Sequence, residues 1–217
     1  MKIEVKNVSK SFKGVSILSN ISMTFESGKI YGLIGRNGSG KSVFLKLLCT
    51  FYEPSDGEIL YDGINIIKMG KFPPYTRALI EKPYFIADLT GYENLKLLAK
   101  LSLTDDEKII ESLKKVNLCE DKDKKFSQYS LGMKQKLGIA QVLMDDPKII
   151  ILDEPFNGIE EKTTEELRQI FIDEAKKDKI VIIATHIKDD IEKMVDILYK
   201  FDDGKVSTID TIDKNKD

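Results

Sequence analysis

The chain has 217 residues, with 34 Lys and Arg against 36 Asp and Glu, for a formal net charge of −2. Such a balance gives no reason to expect a nucleic-acid partner, which usually selects a basic patch. No run approaches the roughly 18 apolar residues that cross a bilayer, so a membrane role requires the span from another chain.

The N-terminus alternates charged and apolar residues without the apolar stretch of a signal peptide. Residues 3–8 and 17–25 alternate in the manner of half-buried strands. Residues 29–34 form an apolar strand that runs into a glycine-rich loop, and a helix is expected over 42–51. Asp56-Gly57 and Asp62-Gly63 bracket residues 58–61, which reads as short antiparallel strands. The middle of the chain is helical in its spacing, over 93–101, 105–116 and 130–144. Thr104-Asp105-Asp106-Glu107 offers an N-cap and an acidic first turn.

Strands and helices then alternate. Residues 149–152 are a continuous apolar run, as for a strand covered on both faces. A charged amphipathic helix is expected over 160–177, a buried strand over 180–184, a helix over 187–195 and a strand over 197–201. The alternation predicts an α/β fold with a mainly parallel sheet. Residues 210–217, rich in Lys and Asp, read as a solvated tail. Cys49 and Cys119 stand in no CxxC pair, so a metal is not expected there. Cys49 lies in an apolar helical run and reads as packing. A reduced, cytosolic compartment is the simplest setting.

Gly35-Arg36-Asn37-Gly38-Ser39-Gly40-Lys41-Ser42 matches the phosphate-loop pattern G-x-x-x-x-G-K-[ST], between an apolar strand and a helix. Glycines let successive backbone N–H groups turn toward phosphate oxygens, and the helix start adds positive potential. Lys41 can reach the β- and γ-phosphates of a nucleotide, and the Ser42 hydroxyl can ligate Mg²⁺. Downstream, the 149–152 strand ends in Asp153 and Glu154, where ligands bind in open α/β sheets. Asp153 is suited to hold Mg²⁺ and Glu154 to orient an attacking water. Alone, the pair reads equally as a solvated turn opened by Pro155.

Tyr129-Ser130-Leu131-Gly132-Met133-Lys134-Gln135 opens a helix. Ser130 is a good N-cap. Gly132 is costly in a first turn, by up to about 1 kcal/mol relative to Ala, and a close approach to an anion would justify it. The helix would be about 20 Å long, which puts its start far from this chain's own phosphate loop. An anion there would belong to a second protomer.

The order of phosphate loop, Ser-x-Gly helix start, Asp-Glu strand end and His186 resembles the ABC (ATP-binding cassette) ATPase family over nearly the whole chain. The resemblance implies a single domain over 1–209, with a P-loop NTPase (RecA-like) core, an antiparallel β subdomain and an inserted α-helical subdomain over about 83–145. It implies ATP and Mg²⁺ as ligands. It places Tyr129 to Met133 at the family signature, commonly Leu-Ser-Gly-Gly-Gln, and Asn157-Gly158-Ile159-Glu160 at the D-loop. His186, the sole histidine, falls at the switch position that contacts the γ-phosphate. Phe12 falls where an aromatic stacks on adenine, a contact worth roughly 1–3 kcal/mol for bases. It also reads as an apolar strand-end residue.

Three segments depart from the family pattern. Glu81 stands at the Q-loop glutamine, where a carboxylate can still ligate Mg²⁺ but cannot donate a hydrogen bond when ionised. Leu131 and Met133 replace a Gly and a Gln of the signature, and Glu160 replaces the D-loop Asp. Ile80-Glu81-Lys82-Pro83 together with the signature segment resembles the bacitracin-resistance and lantibiotic-immunity exporter subgroup.

The resemblance further implies a head-to-tail dimer, homo- or heteromeric, with two ATP molecules between protomers. One protomer would supply Lys41, Ser42, Asp153, Glu154 and His186, and the other Ser130 and the Gly132 backbone. It implies a separate membrane-spanning permease subunit that holds this chain at the inner face of the cell membrane. Residues 82–92, with Pro83, Tyr84, Phe85 and Tyr92, either dock that partner or pack the helical subdomain. Three other readings remain open: a soluble ABC-type ATPase, an unrelated P-loop kinase or GTPase, and a regulatory subunit that binds ATP without cleaving it.

Overall fold

The structure is a computed structural model and describes residues 1–209. The expected solvated tail over 210–217 lies outside the described residues. Among the described residues nine strands and six α-helices follow one another in a mixed α/β order.

Strands β1 (Lys2–Phe12) and β2 (Val15–Glu26) form an antiparallel hairpin. Its two linking residues, Lys13 and Gly14, both have positive φ, the geometry that matches strand twist in a two-residue turn. Strand β3 (Lys29–Ile34) leads through the phosphate loop into helix α1 (Lys41–Leu48). Strand β4 (Asp56–Tyr61) pairs antiparallel with β1, giving a three-stranded sheet in the order β2-β1-β4.

The second sheet has the order β5-β6-β7-β3-β8-β9. Strands β5 (Thr76–Leu79), β6 (Ile149–Asp153), β7 (Ile180–Ala184), β3 and β8 (Ile197–Asp202) run parallel, and β9 (Lys205–Ile209) closes one edge antiparallel to β8. Sequence periodicity had marked neither edge strand, β5 nor β9.

The apolar runs of β6 and β7 have the burial that their composition demands. Ile150 and Leu152 of β6 face one core, and Ile149 and Ile151 face another. Val181 and Ile183 of β7 share the first core, and Ile180 and Ile182 the second. Each fully buried aliphatic side chain contributes roughly 1.5–3 kcal/mol. These strands therefore anchor whatever their carboxyl ends carry. Cys49 is buried in the second core, and burial pushes its thiol pKa up to about 12, in keeping with a packing residue.

Between β5 and β6 the chain inserts helices α2 (Gly91–Ser102), α3 (Asp106–Lys115) and α4 (Leu131–Leu143). Thr90 caps α2 with a reciprocal bond from Glu93, so the helix starts two residues earlier than its apolar spacing suggests. Asp105 caps α3 and Ser130 caps α4. Helices α5 (Glu161–Lys176) and α6 (Lys188–Met194) follow β6 and β7. Among the described residues no helix is long and apolar enough to cross a membrane.

Candidate active site

The carboxyl ends of β3, β6 and β7 lie side by side, and a cavity of about 730 Å³, a volume suited to a nucleotide-sized ligand, lies against the phosphate loop and the end of β6. Asn37, Gly38, Gly40, Lys41 and Ser42 line it from the phosphate loop, and Asp153 and Glu154 from the end of β6. Gly40 has φ +102°, and a Cβ there would lie 2.5 Å from a Leu18 methyl, so only glycine closes this turn.

Lys41 is only 7% exposed, and its Nζ donates to the Gly35 carbonyl at 2.8 Å and the Arg36 carbonyl at 3.3 Å. The ammonium is thus folded onto its own loop. Ser42 Oγ donates to Asp153 Oδ2 at 2.6 Å. This bond joins the helix after the phosphate loop to the acidic strand end 111 residues away. Gly35 serves through its carbonyl rather than as cavity lining, and the Ser39 hydroxyl is buried without a hydrogen-bond partner among the described residues.

Glu154 has φ +48°, a left-handed conformation that costs a non-glycine residue roughly 1 kcal/mol. Three bonds hold its backbone there: its N–H donates to the Ala184 carbonyl at 2.8 Å, and its carbonyl accepts from Gln135 Nε2 at 3.3 Å and from the Asn157 N–H at 3.4 Å. Its Oε1 accepts from His186 Nδ1 at 2.7 Å, while Oε2 is buried with no partner among the described residues. An unpaired buried carboxylate oxygen beside a phosphate loop suits a water or a cation there. Such a donor set fits Mg²⁺ with a phosphorylated ligand: a hydroxyl, two carboxylates and an ammonium beside a glycine-rich loop.

Glu81 also lines the cavity, yet its carboxylate bonds Lys46 of α1 at 2.5 Å rather than turning toward Asp153. This hydrogen bond holds the Lys46 ammonium above the usual lysine range. Lys46 lies one helical turn past Ser42, so the site carries its own counter-cation for the extra carboxylate. Phe12 is not part of the cavity wall. It packs edge-on against Tyr52 at 5.1 Å, with Lys10 Nζ 4.9 Å from its ring centre.

Ser130 Oγ accepts from the Met133 N–H at 3.2 Å, which is the N-cap arrangement. Gly132 has a reason inside the protomer, because a Cβ there would lie 2.6 Å from the Gly158 carbonyl oxygen. The close approach is to this chain's own D-loop backbone. Leu131 and Gln135 line the same cavity as the phosphate loop, so the helix start is nearer that loop than helix length alone suggested. Glu160 precedes α5 without a side-chain cap bond.

Gln135 and Lys46 were not singled out by sequence reasoning. Both act through contacts that no local motif announces. Of the aromatics over 82–92, Phe85 packs against Phe126 with ring centres 5.3 Å apart, and Tyr92 packs on the same core. Tyr84, by contrast, is 99% exposed.

Fold and cavity together define a P-loop nucleoside triphosphatase. Residues 18–157 match the ABC transporter family. The chain is 38% identical to an uncharacterised ABC transporter ATP-binding protein, YybJ of Bacillus subtilis, over 99% of both chains. It is 37% identical to the bacitracin transport ATP-binding protein BcrA of Enterococcus faecalis, over 93% of this chain and 67% of that one. A dimeric ATP-binding cassette in a post-hydrolysis state with ADP and Pi has the same fold, with a TM-score of 0.88 at 23% identity over 97% and 98% of the two chains. The chain belongs to the ABC transporter ATP-binding family, and is the ATP-binding, ATP-hydrolysing subunit of such a transporter.

Proposed function

We propose that the cavity takes MgATP between the phosphate loop and the β6 end, and that Glu154 and His186 act at the γ-phosphate. The observation that carries this reading is the convergence of the Ser42–Asp153 bond and the His186–Glu154 bond on one loop-lined cavity. Lys41 leaves the Gly35 and Arg36 carbonyls for phosphate oxygens when ATP enters. Ser42 and Asp153 would hold the magnesium ion, with Glu81 as a further oxygen donor. The ion, when bound, neutralises charge on the β- and γ-oxygens.

Glu154 Oε2 is the acceptor that orients the attacking water. With Nδ1–H on Glu154, the His186 ring donates from Nε2 to a γ-phosphate oxygen when it carries both protons. Water attacks the γ-phosphorus, the bond to the β-γ bridging oxygen breaks, and ADP leaves with inorganic phosphate. Closing the cavity with the Ser130–Gly132 helix start of a second protomer excludes water and completes charge stabilisation. ATP thereby favours the closed dimer and hydrolysis releases it.

The reading extends to a membrane-spanning permease on a separate chain, which keeps this subunit at the cytoplasmic face of the membrane. The likeness to a bacitracin transport protein supports a place among exporters of peptide antibiotics. Tyr84 is the exposed anchor of the docking surface. Titration calorimetry with ATP and Mg²⁺ tests the nucleotide site. Lys41→Ala should weaken ATP binding by roughly tenfold or more, the value of one charge-assisted phosphate contact. Unchanged affinity would remove the phosphate loop from the account.

A further inference from the structure

Behind the His186–Glu154 pair lies a polar cluster that the reading above does not use. Thr185 and Asp190 are fully buried, and Arg168 is 2% exposed. Arg168 Nε, on α5, donates to Asp190 Oδ1 at 2.8 Å. The other oxygen of Asp190 accepts from Thr185 Oγ1 at 2.7 Å. Thr185 Oγ1 in turn accepts from the Ile187 N–H at 3.1 Å. One hydroxyl therefore ties together the residues on either side of His186.

The far end of Arg168 is equally engaged. Its Nη1 donates to Glu161 at 2.9 Å and to Glu165 at 2.7 Å. Burial works against the guanidinium charge, but these hydrogen bonds outweigh it and hold the pKa above the usual arginine value. The guanidinium also stands 5.9 Å from the ring centre of Phe156, two residues past Glu154. The cluster thus touches both arms of the pair, the loop that carries His186 and the turn that carries Glu154.

Burying an Arg–Asp pair is weak support for stability, because well-packed apolar residues often do as well. Its geometric value is larger. His186 is 67% exposed in its side chain, and its ring is bonded to Glu154. Its backbone, however, is fixed through Thr185, whose N–H also donates to the Leu33 carbonyl of β3 at 3.2 Å.

We propose that Thr185, Asp190 and Arg168 are positioning residues for ATP hydrolysis, forming a buried brace that sets His186 against Glu154. The proposal rests on His186 and Glu154 acting at the γ-phosphate. Thr185→Val keeps the side-chain shape and removes the hydroxyl. Its kcat should fall roughly 10- to 100-fold, the scale of a small misplacement of a catalytic group. ATP affinity should stay near that of the native protein, the melting temperature should fall because Asp190 Oδ2 and the Ile187 N–H lose a buried partner, and Thr185→Ser should restore the rate. Placed in His186→Ala, Thr185→Val should change the residual rate by less than about twofold, because the Thr185 hydroxyl bonds only within the loop that carries that ring and to Asp190.

A native kcat in Thr185→Val, or an equal loss with and without His186, would overturn the brace. A native kcat in His186→Ala would overturn the histidine's role and the brace with it. Should Thr185→Val not fold, Asp190→Asn, which keeps the size and one acceptor, is read against the same outcomes.

Discussion

The two lips of the cavity are built differently. The lip formed by the phosphate loop and the ends of β6 and β7 carries charged side chains that are buried and bonded. Lys41 and Asp153 are both under a tenth exposed, and each is held by bonds to the loop or to α1. The lip at the start of α4 carries no acidic residue in its first turn and presents an exposed Leu131. Its precision is in the backbone, where Gly132 presses on the Gly158 carbonyl. Groups that meet charge stand on strands anchored in two cores, where misplacement is most costly. The helix-borne lip is held in shape by backbone contact.

Breaking the first lip should have the largest effect. Glu154→Gln removes the carboxylate that accepts from His186 and should lower the hydrolysis rate by roughly 100-fold or more, the scale of general-base loss. Binding of ATP should persist, as steady-state kinetics and calorimetry together would reveal. A rate within a few fold of native would take Glu154 out of the chemistry.

Breaking the second lip should act on structure before chemistry. Gly132→Ala sets a Cβ against a backbone oxygen that cannot swing away, at about 1–3 kcal/mol of stability. Thermal unfolding should show it, while ATP affinity stays native because the phosphate loop is untouched. A native melting temperature would mean that the D-loop yields freely, and the contrast between the lips would weaken.

The smallest effect sharpens the contrast at its outer edge. Tyr84→Ala should change stability by less than about 0.5 kcal/mol, as for an exposed side chain. Phe85→Ala, which strips a ring from the helical core, should cost about 3 kcal/mol. Co-purification with the membrane subunit should then drop in Tyr84→Ala alone. Undiminished co-purification would move the docking surface elsewhere.

The first lip was the more legible in sequence, for a physical reason. A phosphate loop is local: eight consecutive residues hold the glycines, the lysine and the serine. Asp153 and Glu154 follow an apolar run whose burial on both faces is readable from composition. Meaning that depends on distant contacts was not readable. Gln135 matters because it reaches the Glu154 carbonyl 19 residues away, and Arg168 because it meets Asp190 22 residues away. Phe12 packs on Tyr52, a residue distant in sequence, and nothing in β1 announces that contact.

The fold divides in the same way. The central strands were legible because double-sided burial forces continuous apolar runs. The edge strands were not. β5 is four residues long and carries Arg77, which is paired with Asp145. β9 is mostly exposed and has neither alternation nor an apolar run. Edge strands need polar residues to avoid further pairing, and that requirement erases the pattern by which strands are recognised.

The claim that one lip awaits a second protomer is tested most directly by the solution mass of Glu154→Gln, measured by light scattering with and without MgATP. The account predicts a monomer that becomes a dimer only when MgATP is present, because binding persists while hydrolysis no longer opens the pair. A protein that binds ATP yet stays a monomer would contradict it.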